Sequence, residues 1–363
     1  MRNGTFSLRP RGLWLMTSLE LRQRIRSVRW YVALGVWTVV LLGIGLLALA
    51  PALYTSEWGA VAPVARVMFS LQMLLVLFAM LLVTPALSAG SINGDRSAGT
   101  LATLQASLLS PLEIVLGKLF AGLLTGLAFL VLAMPSALPL AFLGDISVLY
   151  VVRVVLMICF LTFCVTAIGL GLSALTQRQL GSVVLAYVLV FGVTVVGPIL
   201  WGTSMVFLHQ EKEVTTYYTE YTDYESDMDS GVCTAHTENQ EVFRMDLSQP
   251  VLWPNPVVML AETAPSPRPD SSLENIDDSD HLDALVLLKT GMREAASPPH
   301  PADHNYCSPQ DEGYPTDLGH PTSFPVWPMG VAAWGLLALA SLAVAVLRVA
   351  VPIRRLGKGT RIA

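Results

Sequence analysis

Residues 31–49, 67–87, 114–138, 148–175, 180–207 and 326–347 form six apolar runs, each long enough to cross a bilayer as a helix. Only helices and closed barrels satisfy their own backbone groups in hydrocarbon, so these runs constrain the fold more than any other feature. Composition agrees. The 363 residues are 53% hydrophobic and 13% charged, with mean hydropathy +0.57; soluble globular chains carry about 25% charged residues. Pro51 closes the first run, Pro85 sits near the end of the second, and Pro135 and Pro139 bend or end the third. Gly197-Pro198 predicts a kink in the fifth. The first run follows an Arg-rich segment without an Ala-x-Ala-like site, so a cleaved signal peptide is not expected. The expected fold is an all-α integral membrane protein embedded in the lipid bilayer.

Charge patterning orients it. Residues 1–30 hold seven arginines and one acid, Glu20. Over residues 12–30 a helical wheel puts Trp14, Leu21, Ile25 and Val28 on one side and most charges on the other. Such a basic amphipathic helix reads as lying in the membrane interface, the alternative being a cytosolic extension of the first span. Arg96, Lys118, Arg178 and the tail residues Arg348, Arg354, Arg355, Lys358 and Arg361 share a side with the N-terminal arginines; the opposite short loops hold Arg66 and, just inside the fourth span, Arg153. The positive-inside rule then predicts both termini cytoplasmic, in a multi-pass protein of the cell membrane. The expected organisation is a cytoplasmic segment 1–30, spans one to five over 31–207 with a cytoplasmic loop 89–113, an extracytoplasmic segment 208–325, a sixth span 326–347 and a basic tail 348–363. Arg153, an ionisable residue inside a span, is a functional candidate, although at that depth an arginine can snorkel to the outer interface.

The outer segment is acidic, with 22 Asp/Glu against five Lys/Arg over residues 209–325. Residues 214–224 are rich in Thr and Tyr and predict a strand. Residues 251–261 are apolar but too short to span, as an interfacial or re-entrant piece would be. Residues 264–320 are dense in Pro, Ser and Asp and read as loop-like or partly disordered. Cys159 and Cys164 fall in the fourth span as ordinary apolar residues. Cys233 and Cys307 both lie in the outer segment, where a disulfide between them is expected. All six histidines are there too. Gly171-Leu-Ser173 resembles the setting of an intramembrane serine nucleophile, but no span supplies a histidine as its base, and close helix packing is the better reading. The histidines lack zinc spacing and the acidic clusters lack a calcium loop, so no metal or cofactor is expected.

The longest polar break between the early spans runs from Ser91 to Lys118. Leu101, Leu104 and Leu108 follow Gly99 at helical spacing and predict a short helix over residues 98–108 with one apolar face. Ser110-Pro111 ends it, and Ser110, Pro111 and Glu113 then form a capping box for the third span. The chain has no Gly-x-x-x-x-Gly-Lys-Ser/Thr loop and no basic soluble domain, so neither ATP hydrolysis by the chain itself nor nucleic-acid binding is expected. The spans also lack the acid and histidine relays of proton-coupled transporters, which points to energy from a partner.

Asp95-Arg96-Ser-Ala-Gly99-Thr100-Leu101, followed by Ser110-Pro-Leu-Glu113-Ile-Val-Leu-Gly117-Lys118, resembles the signature of ABC transporter permeases of the type-2 exporter class. The amphipathic first helix, the six spans and the Asn-Pro segment between the last two are similar as well. The resemblance covers residues 11–207 and 326–355, and Gly94-Asp95 stands where many relatives carry consecutive glutamates. It implies a transmembrane exporter subunit with no catalytic residues of its own, a separate ABC ATPase subunit, and a second permease subunit in a homodimer or heterodimer. It also implies a coupling helix at residues 98–108, with Asp95, Arg96, Gly99, Thr100, Leu101, Leu104 and Leu108 contacting the ATPase. The rival reading is a membrane anchor or sensor whose acidic outer segment binds a ligand.

Overall fold

The structure, a computed structural model, describes residues 7–47, 50, 61–101, 104, 109–220, 232–265, 283–295, 304–305 and 325–350. Helix α1 (Pro10–Ile25) starts on a proline, whose fixed φ suits a first helical turn. The chain turns at Arg26-Ser27 into α2 (Val28–Leu47), and α3 (Val61–Ser88) and a short α4 (Ser91–Ser97) follow. Next come α5 (Pro111–Leu143), α6 (Val148–Leu175) and α7 (Gln179–Phe191). A π-helical turn (Gly192–Val196) joins α7 to α8 (Gly197–Thr203), and the last long helix is α12 (Trp327–Val349). Six helical stretches among the described residues are long and apolar enough to cross a membrane.

The prolines of the third run do not end it. Pro135 and Pro139 lie inside the 33-residue α5. In the same turns Gln72 of α3, fully buried, donates to the Ala133 carbonyl (3.2 Å) and to Ser136 Oγ (2.6 Å), so polar groups at the weakened part of the helix find partners within the bundle. The expected kink at Gly197-Pro198 takes the form of the π turn just before it. Asn255, 1% exposed, donates through Nδ2 to the Val193 and Thr194 carbonyls (3.0 and 3.1 Å) that this turn leaves available. Its Oδ1 accepts from Val257 N and Val258 N, capping α10 (Pro256–Ala261). The short apolar piece is thus a buried plug with Met259, Leu260 and Ala261 inward. Trp334 of α12 holds it by donating to the Pro254 carbonyl at 2.6 Å.

Helices α3, α5 and α6 form the middle of the bundle. Against them α2 is held by Trp30 and Trp37, both edge-on to Phe129 at 5.4 and 5.9 Å, and by a hydrogen bond from Trp37 Nε1 to the Phe129 carbonyl. Small residues set the other crossings. A Cβ on Gly171 would lie 2.7 Å from Ser341 Cβ, so α6 and α12 touch because that side chain is missing. Cys159 and Cys164 are free thiols in α6.

Between α8 and α12 the segment is more ordered than its composition predicts. Strand β1 (His209–Glu220) pairs antiparallel with β2 (Val232–Phe243) from His209↔Phe243 to Glu220↔Val232, and β3 (His304–Asn305) joins β1 in parallel. The predicted strand therefore starts earlier, and Tyr221–Tyr224 lie outside the described residues. A short α9 (Met245–Ser248) leads from the hairpin toward the plug, and Arg244 grips Asp246 through two 2.9 Å hydrogen bonds. Loop was expected where α11 (Ala284–Ala295) forms. The helix is amphipathic: Leu285 and Val286 are buried, Asp283 accepts from Leu285 N at its start, and Ser70 of α3 donates to the same carboxylate. Arg293 closes a two-bond ion pair with Glu262 (2.6–2.8 Å), docking α11 on the plug. Cys307 and the side chain of Cys233 lie outside the described residues, and so does the disulfide expected of them.

Candidate functional site

At the end of the bundle where α1 crosses α5, two glycines bring the helices close. A Cβ on Gly117 would sit 2.5 Å from Met16 Cβ, and one on Gly12 would sit 2.8 Å from the Glu113 carboxylate. The face of α1 turned to the bundle is therefore Gly12, Met16, Thr17 and Glu20, whereas Trp14, Ile25 and Val28 are exposed. Leu21, on the same side of the helical wheel, is half-buried, and Leu15 and Leu19, off that side, are exposed as well.

Glu20, grouped with the polar remainder by the wheel, is 7% exposed. Its partner is Lys118 of α5, 2% exposed, whose Nζ donates to Glu20 Oε1. The same Nζ lies 2.6 Å from Asp95 Oδ2, an ion contact without a directed hydrogen bond. One buried ammonium thus joins three elements: α1 through Glu20, α4 through Asp95, and the start of the third span. Buried ion pairs are weak sources of stability but strict setters of geometry, because removing one partner leaves an uncompensated charge. One turn along, Arg24 Nη1 donates to Thr125 Oγ1 at 3.0 Å, and burial lowers the Arg24 pKa against the opposing pull of Glu20. Sequence reasoning missed Glu20 and Lys118 as a pair. The available signals were the lone acid among seven arginines and a lysine four residues into an apolar run.

Ser110 caps α5: its Oγ accepts from Glu113 N (3.1 Å), and Glu113 Oε2 accepts from Ser110 N (2.8 Å), with Pro111 in the first turn. The other oxygen, Glu113 Oε1, accepts from Arg9 N at 2.7 Å, and Ser110 Oγ donates to the Ser7 carbonyl. The cap of the third span is therefore also the seat of the α1 N-terminus.

Helix α4 occupies part of the polar break that the sequence left without an element. Its start is held by Ser173 of α6, fully buried, whose Oγ accepts from Ile92 N and Asn93 N at 3.1 Å each. These are donors a helix start leaves without intrahelical partners. Asn93 Nδ2 donates to Thr176 Oγ1 (2.9 Å), and Arg96 Nη1 reaches Asn93 Oδ1 and the Thr176 carbonyl. After α4 the chain turns at Ala98-Gly99, with Gly99 at φ +72°, a conformation that L side chains rarely adopt. Helical geometry resumes at Thr100 and Leu101 and is present at Leu104. Leu101 is buried in the core, and Leu104 is half-buried and packs against it. Ser97, Ala98 and Thr100 are exposed, and Thr100 Oγ1 donates to Asp95 Oδ1 at 3.2 Å. Leu108 lies outside the described residues. The leucines that can be placed face this chain's own core, and the outward surface is small and polar.

A sequence profile described as ABC-2 family transporter protein matches residues 14–262, over half the chain. The chain belongs to the ABC-2 transporter family. The match begins within α1, takes in the ion network, the Ser110 cap and spans one to five, and continues through the β-hairpin to the end of the plug. That extends beyond residue 207, where the sequence resemblance broke off, whereas α12 lies outside it. Among curated proteins none matches the chain. An ABC-2 family permease is a membrane component of a transporter, and the six apolar helices agree with a multi-pass membrane protein.

Proposed function

We propose that this ABC-2 permease is the membrane half of an ATP-driven exporter, working with a separate ATPase and a second permease subunit, with both termini in the cytoplasm. Coupling runs through α4 and the helical turn that follows. The observation that carries this is the Glu20–Lys118–Asp95 network, which ties α1, α4 and the third span into one unit at the end of the bundle that the arginines place in the cytoplasm. A displacement applied to α4 passes to α5 through Lys118 and to α6 through the Ser173 and Asn93 hydrogen bonds, because packed polar contacts of this kind permit few alternative arrangements.

In this reading the ATPase seats on the exposed surface around Ser97, Ala98 and Thr100, with Asp95 and Arg96 at its edge. Gly99 sets the turn, Leu101 and Leu104 brace the element from inside, and Leu108 continues the helical spacing. The test is co-purification with the candidate ATPase. Ala98→Arg, which adds a large charged side chain on an exposed residue, is expected to abolish both capture of the ATPase and stimulation of ATP hydrolysis while leaving the thermal stability of the permease unchanged. Undiminished capture and stimulation by this variant would show that the ATPase docks elsewhere.

A further inference from the structure

At the end of the bundle opposite the ion network, the fifth span passes straight into the β-hairpin. Its apolar run ends at Val206, and β1 starts at His209. The junction is closely tied. Arg244 N donates to the Leu208 carbonyl at 2.7 Å, His209 pairs with Phe243, and the Ser204 and Ser248 hydroxyls share a 2.7 Å hydrogen bond. The turn at Gln249–Leu252 continues the contact: its Val251 carbonyl lies 3.7 Å from where a Cβ on Gly197 of α8 would sit. The end of the span, both strand ends, α9 and this turn are therefore neighbours.

This junction turns large apolar side chains outward. Phe207 is 81% exposed and Leu247 of α9 57%, and Val206, Phe243 and Val251 are exposed as well. Ile199 and Leu200, also exposed, carry the same surface down the membrane-crossing stretch along α8. A continuous exposed apolar patch of this kind marks a contact with a protein or a membrane.

The edge of the patch distinguishes the two. Two residue pairs beyond His209↔Phe243, Glu211 lies opposite Glu241, and both glutamates are exposed. Between the apolar side chains and these charges, the Arg244 guanidinium bonds both Asp246 of α9 and Gln210 of β1. The change from hydrocarbon to charge thus falls at one level across the end of the span, the two strands and α9. A lipid surface imposes such a level on every element that crosses it, with apolar side chains among the acyl chains and polar groups among the heads. The chain's own stretches 221–231, 266–282, 296–303 and 306–324 are rich in Asp, Ser, Pro and Tyr and hold no apolar run to match the patch.

We propose that this ledge is a lipid anchor: Phe207, Phe243, Leu247 and Val251 insert among the acyl chains of the adjoining leaflet, with Arg244 and Asp246 at headgroup level. The hairpin is then an arm rooted in the bilayer at its base, and its charged pairs stand in water. Val251 is followed by the buried Leu252 and, four residues on, by Asn255, which caps the plug helix. The same contact therefore ties the chain leading into the plug to the leaflet.

The anchor needs neither the ATPase nor the proposed coupling, so it is measured on the full-length permease alone. Photoreactive benzoylphenylalanine replaces Phe207, Leu247 or Glu211, one at a time. Being aromatic, it keeps the first two positions apolar. Each protein is reconstituted in phosphatidylcholine vesicles, irradiated and analysed by mass spectrometry. Positions 207 and 247 are expected to form phosphatidylcholine adducts, and position 211 to lose them. Cross-links between two permease chains at 207 and 247 in place of lipid adducts would assign the ledge to a second copy and overturn the proposal. So would adducts at 211 as abundant as those at 207, which would remove the boundary, or their absence at 207 and 247, which would place the ledge in water.

Discussion

Replacing Lys118 with methionine preserves the length and apolar body of the side chain and removes the one charge that joins α1, α4 and α5. Its side chain is 1% exposed, that of Glu20 10% and that of Asp95 24%. Glu20 then remains as a buried carboxylate without a cation, a change that costs about 3–5 kcal/mol in comparable settings. Asp95 keeps its contact with Thr100 through Oδ1, but its Oδ2 is buried and loses its cation, which adds about 1–3 kcal/mol. For a domain of this kind about 3 kcal/mol lowers Tm by roughly 6–12 °C. Thermal unfolding in detergent should therefore rank the variants Lys118→Met, then Glu20→Gln, then Asp95→Asn, from most to least damaging. The double variant Glu20→Gln/Lys118→Met removes both charges and should recover about 2 kcal/mol relative to additivity, which a double-mutant cycle reads directly. If Lys118→Met loses no more stability than the exposed control Arg22→Gln, or if the cycle shows no coupling, the network does not hold these elements together.

Three further outcomes follow from other parts of the fold. Gly99→Ala meets no atom within 4 Å, so its expected cost of about 1–2 kcal/mol comes from the backbone at φ +72° alone and should appear as a lower Tm with reduced ATPase stimulation. Asn255→Ala leaves the Val193 and Thr194 carbonyls and the α10 start without their partner; a loss of about 2–3 kcal/mol in thermal stability is expected, with faster hydrogen exchange confined to the π turn and α10. Lys289 has a folded-state pKa below its ordinary 10.5, so between those two values the folded protein binds fewer protons than the unfolded chain. Stability should rise as pH climbs through that window, which thermal unfolding at neutral and alkaline pH measures.

Membrane insertion was legible in the sequence because it depends on a sum: enough consecutive apolar residues fix a spanning helix whatever its neighbours are. The number of spans, the capped start of α5 and the interruption before it follow from such local rules. The site was only partly legible. Leu101 and Leu104 showed an apolar face, but periodicity alone does not say whether a face meets a partner or the chain's own core, and here the core takes it. The cysteine pairing rests on residues whose arrangement lies outside the description.

What the tertiary structure decided are the contacts between residues far apart in sequence. Lys118 reads locally as a flanking charge and Glu20 as part of a polar face, and only the α1–α5 crossing, made possible by Gly12 and Gly117, places them together. The π turn is matched to Asn255 across some sixty residues, and Ser173 becomes the acceptor for the start of α4. The amphipathic α11 was hidden inside a stretch whose average composition is that of a loop. Its docking on the plug arises from Arg293 and Glu262, which no local pattern connects. The physical reason is common to all of these: burial makes the pairing of a charge or carbonyl obligatory, but which partner satisfies it is set by how the helices pack.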